Sequence, residues 1–215
     1  MAVMSAPMIE FDHPTDYRDE IAAKPDRVRV LVVPERRYLM IDGTGTPGEK
    51  SFQDAMASLY PVAYTLHFTL KKRAIEAPVG ALEGLYWMGR EEPLTPAHFA
   101  DSDLASKWSW RLLLPVPAAA GEEDVAGAID DVRRKKSPPT IDQLRCVRWQ
   151  EGLVAQILHV GPYDAETPTI ERLHLAIVER GLRARGCHHE IYISDPNRTA
   201  AARLKTIIRQ PVEWA

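Results

Sequence analysis

Apolar and polar positions alternate along several short stretches of this 215-residue chain, and two longer stretches carry apolar residues at helical spacing. Residues 36–42 and 153–159 read as strands, each preceded by a glutamate (Glu35, Glu151) and followed by a glycine (Gly43, Gly161). Phe52, Met56, Leu59, Leu66 and Leu70 mark one face of a first helix, and Ile170, Leu173, Ile177 and Leu182 one face of a second. Thr167 is placed to cap the second helix, Pro168 to fill its first turn and Gly186 to stop it, while Pro61 is expected to bend or break the first. Strand candidates at 82–88 and 188–194 follow the helices, and candidates at 108–116 and 206–212 close the two halves.

A strand, helix, strand, strand unit occurring twice predicts an α+β fold of duplicated units, in which a mostly antiparallel sheet carries its helices on one face. A single domain is expected, with a first repeat over about residues 27–117 and a second over about 141–213. The stretch between them, 118–140, places acids (Glu122 to Asp131) before bases (Arg133 to Lys136), the order a helix dipole prefers. Val125, Ile129 and Val132 give it one apolar stripe, so a connecting helix is expected.

Charge narrows the functional classes. Lys and Arg total 27 against 30 Asp and Glu, a net charge of -3, so no global basic field exists to hold a phosphate backbone. Neither a nucleic-acid partner nor a membrane is expected, because the apolar runs 28–33 and 112–116 fall far short of the roughly 20 residues a bilayer helix needs. Glu10, Asp12, Asp16, Asp19 and Glu20 crowd the first 25 residues, which resemble no secretion signal, and Cys146 and Cys187 form no CxxC pair. A cytoplasmic protein is expected, and the sequence leaves its oligomeric state open between a monomer and a weak dimer.

Strand alternation puts His188, Glu190 and Tyr192 on one side, and His189, Ile191 and Ile193 on the other. The isoleucine side is expected to meet the helices, leaving Glu190 and Tyr192 on the opposite face. Trp108 and Trp110 share a face and Trp87 ends the equivalent strand, so several aromatics can converge there. A carboxylate among them would be partly desolvated, fit to act as a base or as a counter-charge for a lipophilic cation. The plainer reading has Glu190 in solvent and the tryptophans in the core. Gly161-Pro162 projects Tyr163 from a turn. His188 and His189 point to opposite faces and cannot share one metal ion, and no P-loop, GxGxxG, GxSxG or HExxH pattern is present. Neither a cofactor nor a metal is expected.

The second half resembles the GyrI-like small-molecule-binding family. The likeness rests on Glu151-Gly152, Gln156, His159 to Asp164, Glu166, His188 to Tyr192, Ser194-Asp-Pro196 and Leu204 to Val212. In the first half, Pro34 to Leu39, Gly43 to Gly45, Tyr60 to Tyr64 and Leu82 to Leu85 resemble its stand-alone members, so the likeness runs from about residue 16. It implies a ligand cleft between pseudo-symmetric halves, and it places Glu190 where sensor domains of this family face cationic lipophilic drugs. No basic helix-turn-helix is seen in the 25 residues before the first half, which disfavours a DNA-binding regulator.

Stand-alone members of the family include cyclopropanoid cyclopropyl hydrolases, which open the reactive ring of duocarmycin- and yatakemycin-type alkylators. On that resemblance the ligand is a lipophilic aromatic small molecule, Glu190 is the base and Tyr163 the preferred donor. Tyr60, Tyr64 and His159 are alternative donors, and Trp87, Trp110, Trp108 and Tyr192 line the site. The other function in view is a non-catalytic binding protein that sequesters or senses drugs. Tyr86 departs from the family by standing where a second tryptophan is expected, and Ala201-Ala202 replace Pro-Glu.

Overall fold

Each half of the chain builds the unit its hydrophobic spacing predicts. The computed structural model describes residues 11–100 and 102–215, so Glu10 of the acidic N-terminal stretch lies outside the described residues. A short helix α1 (Tyr17–Glu20) leads to strands β1 (Arg29–Val33) and β2 (Arg36–Thr44), then helix α2 (Lys50–Lys71) and β3 (Leu82–Trp87). A short helix α3 (Pro96–Ala100) and β4 (Ser109–Pro115) complete the first half. Helix α4 (Glu122–Lys135) connects to β5 (Arg145–Trp149), β6 (Gly152–Val160), α5 (Thr167–Glu179), β7 (Leu182–Ala184), β8 (His188–Tyr192) and β9 (Lys205–Trp214).

These strands form one sheet in the order β1-β6-β9-β8-β3-β4-β2-β5, with β7 beside β9, and every pair among them is antiparallel. The halves meet at β3 and β8, with Gly84 opposite Glu190 and Leu82 opposite Tyr192. Each half also lends its leading strand to the other: β1, which precedes β2, pairs with β6, and β5, which precedes β6, pairs with β2.

Helix α2 packs on β2 and β4, α5 on β6, β7 and β9, and α4 lies against α2 through Val125, Ala128 and Val132. Pro61 neither breaks nor ends α2, which runs on for ten residues beyond it. Leu59, Val62, Ala63, Leu66 and Leu70 are buried around that point, and their burial offsets the backbone bond that proline removes. Helix α5 ends earlier than expected, at Glu179. Gly181, with φ +67°, turns the chain, so Leu182 belongs to β7.

The faces of β8 are the reverse of the expectation. Glu190 and Tyr192 point to the helix side, whereas His189 and Ile191 point to the far side. The reason is a charge network buried on that far face beneath α1. His189 Nδ1–H donates to Glu151 (2.9 Å) and Nε2–H to Glu83 (3.1 Å). Arg209 donates to Glu151 (3.0 Å), Glu20 (3.3 Å) and Gln156 (2.9 Å), Arg36 to Glu20 (2.7 Å), and Tyr17 to Glu83 (2.8 Å). Three carboxylates thus face three cations, which is why the charged side of the sheet tolerates burial. Burial alone would lower the His189 imidazole, but Glu151 and Glu83 raise it to about 9. Burial alone would raise the Glu151 carboxyl, but His189 and Arg209 bring it down to about 2.

Candidate functional site

Helices α2 and α5 each cover their own half, and between them the central strands β3 and β8 form the floor of a cleft. Leu82, Tyr86, Glu190 and Tyr192 come from that floor. Tyr60 and Tyr64 line one wall from α2, at i and i+4 with rings 6.4 Å apart, while Glu166 and Ile170 line the other. Trp108, packed on Tyr86 (5.7 Å) and edge-on to Phe99 (5.5 Å), adds a flat aromatic surface.

On the floor the polar groups form a chain. Tyr192 donates its hydroxyl to Glu190 Oε2 at 2.8 Å, and Tyr86 in turn donates to Tyr192. His188 Nε2 lies 3.3 Å from Glu190 Oε1. Burial and the Glu190 charge hold both tyrosine hydroxyls well above their ordinary range, so they remain donors. Gly84, opposite Glu190, leaves room for the Tyr86 ring, because a Cβ there would lie 2.7 Å from the Tyr86 hydroxyl.

Glu166, just before the first turn of α5, is a second carboxyl in the same cleft that residue spacing does not single out. It is 5% exposed, and its Oε1 has no hydrogen-bond partner among the described residues. Burial first, and then the neighbouring Glu190 carboxylate, push it up to about 10. It therefore carries a proton at neutral pH, so the cleft offers one carboxyl to give a proton and another to take one. The only foretaste in the sequence is its place in the Tyr163 to Glu166 motif.

The other residues singled out from sequence fall in three places. Tyr163 stands at the cleft mouth, 42% exposed and edge-on to Tyr192 at 5.8 Å. His159 is buried outside the cleft lining. Its Nδ1 accepts from the Thr169 hydroxyl (3.0 Å) and its Nε2–H donates to the Pro162 carbonyl (3.2 Å), tying the Tyr163 turn to α5. Trp110 is on the helix side but 1% exposed, packed under Phe52 at 5.3 Å and filling the space that a Cβ on Gly43 would need. Trp87 is on the far face with Tyr38, Met40 and Leu113, and the Arg111 guanidinium lies 5.4 Å from its ring. The structure thus gathers Glu190, Tyr192, Tyr60, Tyr64, Tyr163 and Trp108, and separates Trp87, Trp110 and His159 from them.

A GyrI-like small-molecule-binding domain matches residues 26–213, which take in every strand of the sheet except the last residue of β9. The chain belongs to the GyrI-like family. Among solved structures, this GyrI-like domain is similar to an uncharacterized conserved protein from Listeria innocua at 32% identity and TM-score 0.81, over 92% of this chain and 97% of that one. It is also similar to a hydrolase from Listeria innocua at 30% identity and TM-score 0.76, over 91% and 96% of the two chains. The EcmrR C-terminal domain shares the fold at 13% identity and TM-score 0.53, over 88% and 98%. No curated protein sequence matches. Among the described residues no group of three or more His, Cys, Asp or Glu is placed to hold a metal ion, and no helix is long and apolar enough to cross a membrane.

Proposed function

We propose that this GyrI-like protein is a hydrolase that opens the cyclopropane ring of DNA-alkylating cyclopropanoid compounds of the duocarmycin and yatakemycin type by adding water. The activity would serve detoxification or self-resistance. The observation that carries the reading is the pair of cleft carboxyls, Glu166 buried with its Oε1 unpartnered among the described residues and Glu190 oriented by hydrogen bonds. The hydrolase name of a relative at 30% identity over nearly the whole chain supports it.

A cyclopropane conjugated to a dienone is electrophilic at its methylene carbon. Glu190 takes a proton from water as the water oxygen bonds to that carbon. The ring C–C bond breaks, and its electron pair runs through the dienone to the oxygen, which becomes a phenol by taking a proton from Glu166. Transfer of the new Glu190 proton to Glu166 restores the resting pair. Glu166 takes the donor role first given to Tyr163, because it is the more acidic group and lies inside the cleft. Tyr163 then closes the mouth, while Trp108, Tyr60 and Tyr64 hold the flat ligand.

The test is to incubate a large molar excess of a duocarmycin-type compound with the wild type and with Glu190→Gln, following the water-added product by mass spectrometry. Many turnovers are expected, reduced roughly 10²–10⁴-fold in the variant. Stoichiometric binding without product would instead identify a sequestering protein. In ¹⁸O-water the label is expected in the first turnover's product, whereas attack by Glu190 itself, followed by hydrolysis of the ester at its carbonyl, would deliver an unlabelled carboxylate oxygen.

A further inference from the structure

His188 stands behind Glu190 on the same face of β8, outside the cleft lining and fully buried. The Phe99 ring of α3 lies 4.5 Å from its imidazole and the Tyr86 ring of β3 6.5 Å away. From α5 it faces His174, whose imidazole is lowered to about 4 by burial and by His188 and is uncharged at neutral pH. Tyr86 keeps its proton as well, and Glu190 is the carboxyl that the imidazole meets.

Only one edge of the His188 ring has a polar contact. Nε2 faces Glu190 Oε1 at 3.3 Å, while Nδ1 is buried with no hydrogen-bond partner among the described residues. A carboxylate can only accept, so the contact requires a proton on Nε2, and Nδ1 is left without a partner in an apolar setting. A phenyl ring would fill the same space and leave no nitrogen unpaired. For stability alone the imidazole is therefore the poorer choice, and its polar return is the contact with Glu190.

We propose that His188 is a positioning residue that holds the Glu190 carboxylate in its working orientation through Nε2–H. With Tyr192 on Oε2 and His188 on Oε1, each oxygen is fixed by one donor and keeps a lone pair for the incoming water. The proposal rests on the hydrolase reading for its kinetic consequence, but not for its effect on Glu190 itself.

The experiment compares wild type, His188→Phe and His188→Gln by three readouts. With a duocarmycin-type substrate, kcat is expected to fall about 10-fold to 100-fold in the Phe variant with KM little changed, the rate equivalent of one hydrogen bond to a charged group. Gln, which keeps an N–H donor, is expected to restore part of it. Thermal unfolding is expected to show the Phe variant at least as stable as wild type. Without any substrate, ¹³C-carboxyl NMR is expected to place the Glu190 titration midpoint roughly one pH unit higher in the Phe variant than in wild type.

If wild type turns nothing over, the hydrolase reading fails while the NMR comparison still decides the role of His188. An unchanged Glu190 midpoint overturns the proposal. So does a Phe variant that keeps the wild-type kcat while Gln loses stability and activity together, since that is the signature of a packing role. His188→Leu carries the same comparison should the Phe variant not fold.

Discussion

Raising the pH from 6 to 9.5 is expected to weaken the fold through one residue, His189. Its imidazole is fully buried between Glu83 and Glu151, and its pKa is raised from 6.5 to about 9. A group held above its unfolded value stabilises fully below that value and loses the contribution as pH climbs through the folded value. The loss therefore begins near pH 6.5 and is complete just above 9. At about 1.4 kcal/mol per pH unit it amounts to roughly 3 kcal/mol. The depression of Glu151 to about 2 is the same ion pair seen from its other end, so the two shifts are not summed. Urea unfolding at half-unit pH steps, with constant m, measures the slope directly. His189→Gln is expected to be less stable at pH 6 and to show a flat profile over the same range. A wild-type profile as flat as the variant's would refute the assignment of a charged His189 inside the network.

Glu166→Gln keeps the size of the side chain but removes its transferable proton. Turnover is expected to drop by roughly 10²-fold or more, and the activity loss expected of wild type as pH rises through about 10 should be absent from the variant's pH–rate profile. Gly84→Ala brings a methyl within 2.7 Å of the Tyr86 hydroxyl and within 2.9 Å of its ring. The ring must move, so chemical unfolding is expected to show a loss of about 1–3 kcal/mol, and the near-ultraviolet signal of the displaced tyrosine should change with it.

The repeated unit was readable because it depends on local spacing. Strand alternation and the 3.6-residue period around Leu59 and Leu173 need no knowledge of partners. The choice of face in β8 was not readable, because it is decided by residues remote in the chain. Arg209 and Glu20 are 189 positions apart, and only their meeting makes the charged side of the sheet a place to bury His189. Trp87 failed to join the other tryptophans for a related reason. In the ladder it pairs with Ser109, and Ser109 points away from both Trp108 and Trp110. Glu190 could be singled out from its strand, whereas Glu166 acquires its proton only from a burial and a neighbour that no spacing records.

The exchange of β1 and β5 between the halves makes them mutually dependent, like two hands each holding the other's cuff. Neither half can complete its own sheet, so the linker around α4 tethers two pieces that the ladder already interlocks. Eight strands in unbroken succession span the molecule from β1 to β5, and the seam between the halves lies in the middle of that ladder. Hinging the halves apart would tear the β3–β8 hydrogen bonds beneath the ligand. The floor of the cleft therefore has a fixed width. Adjustment to ligands of different size falls to the side chains of α2 and to the Tyr163 turn, which stand above the sheet and are not part of its weave.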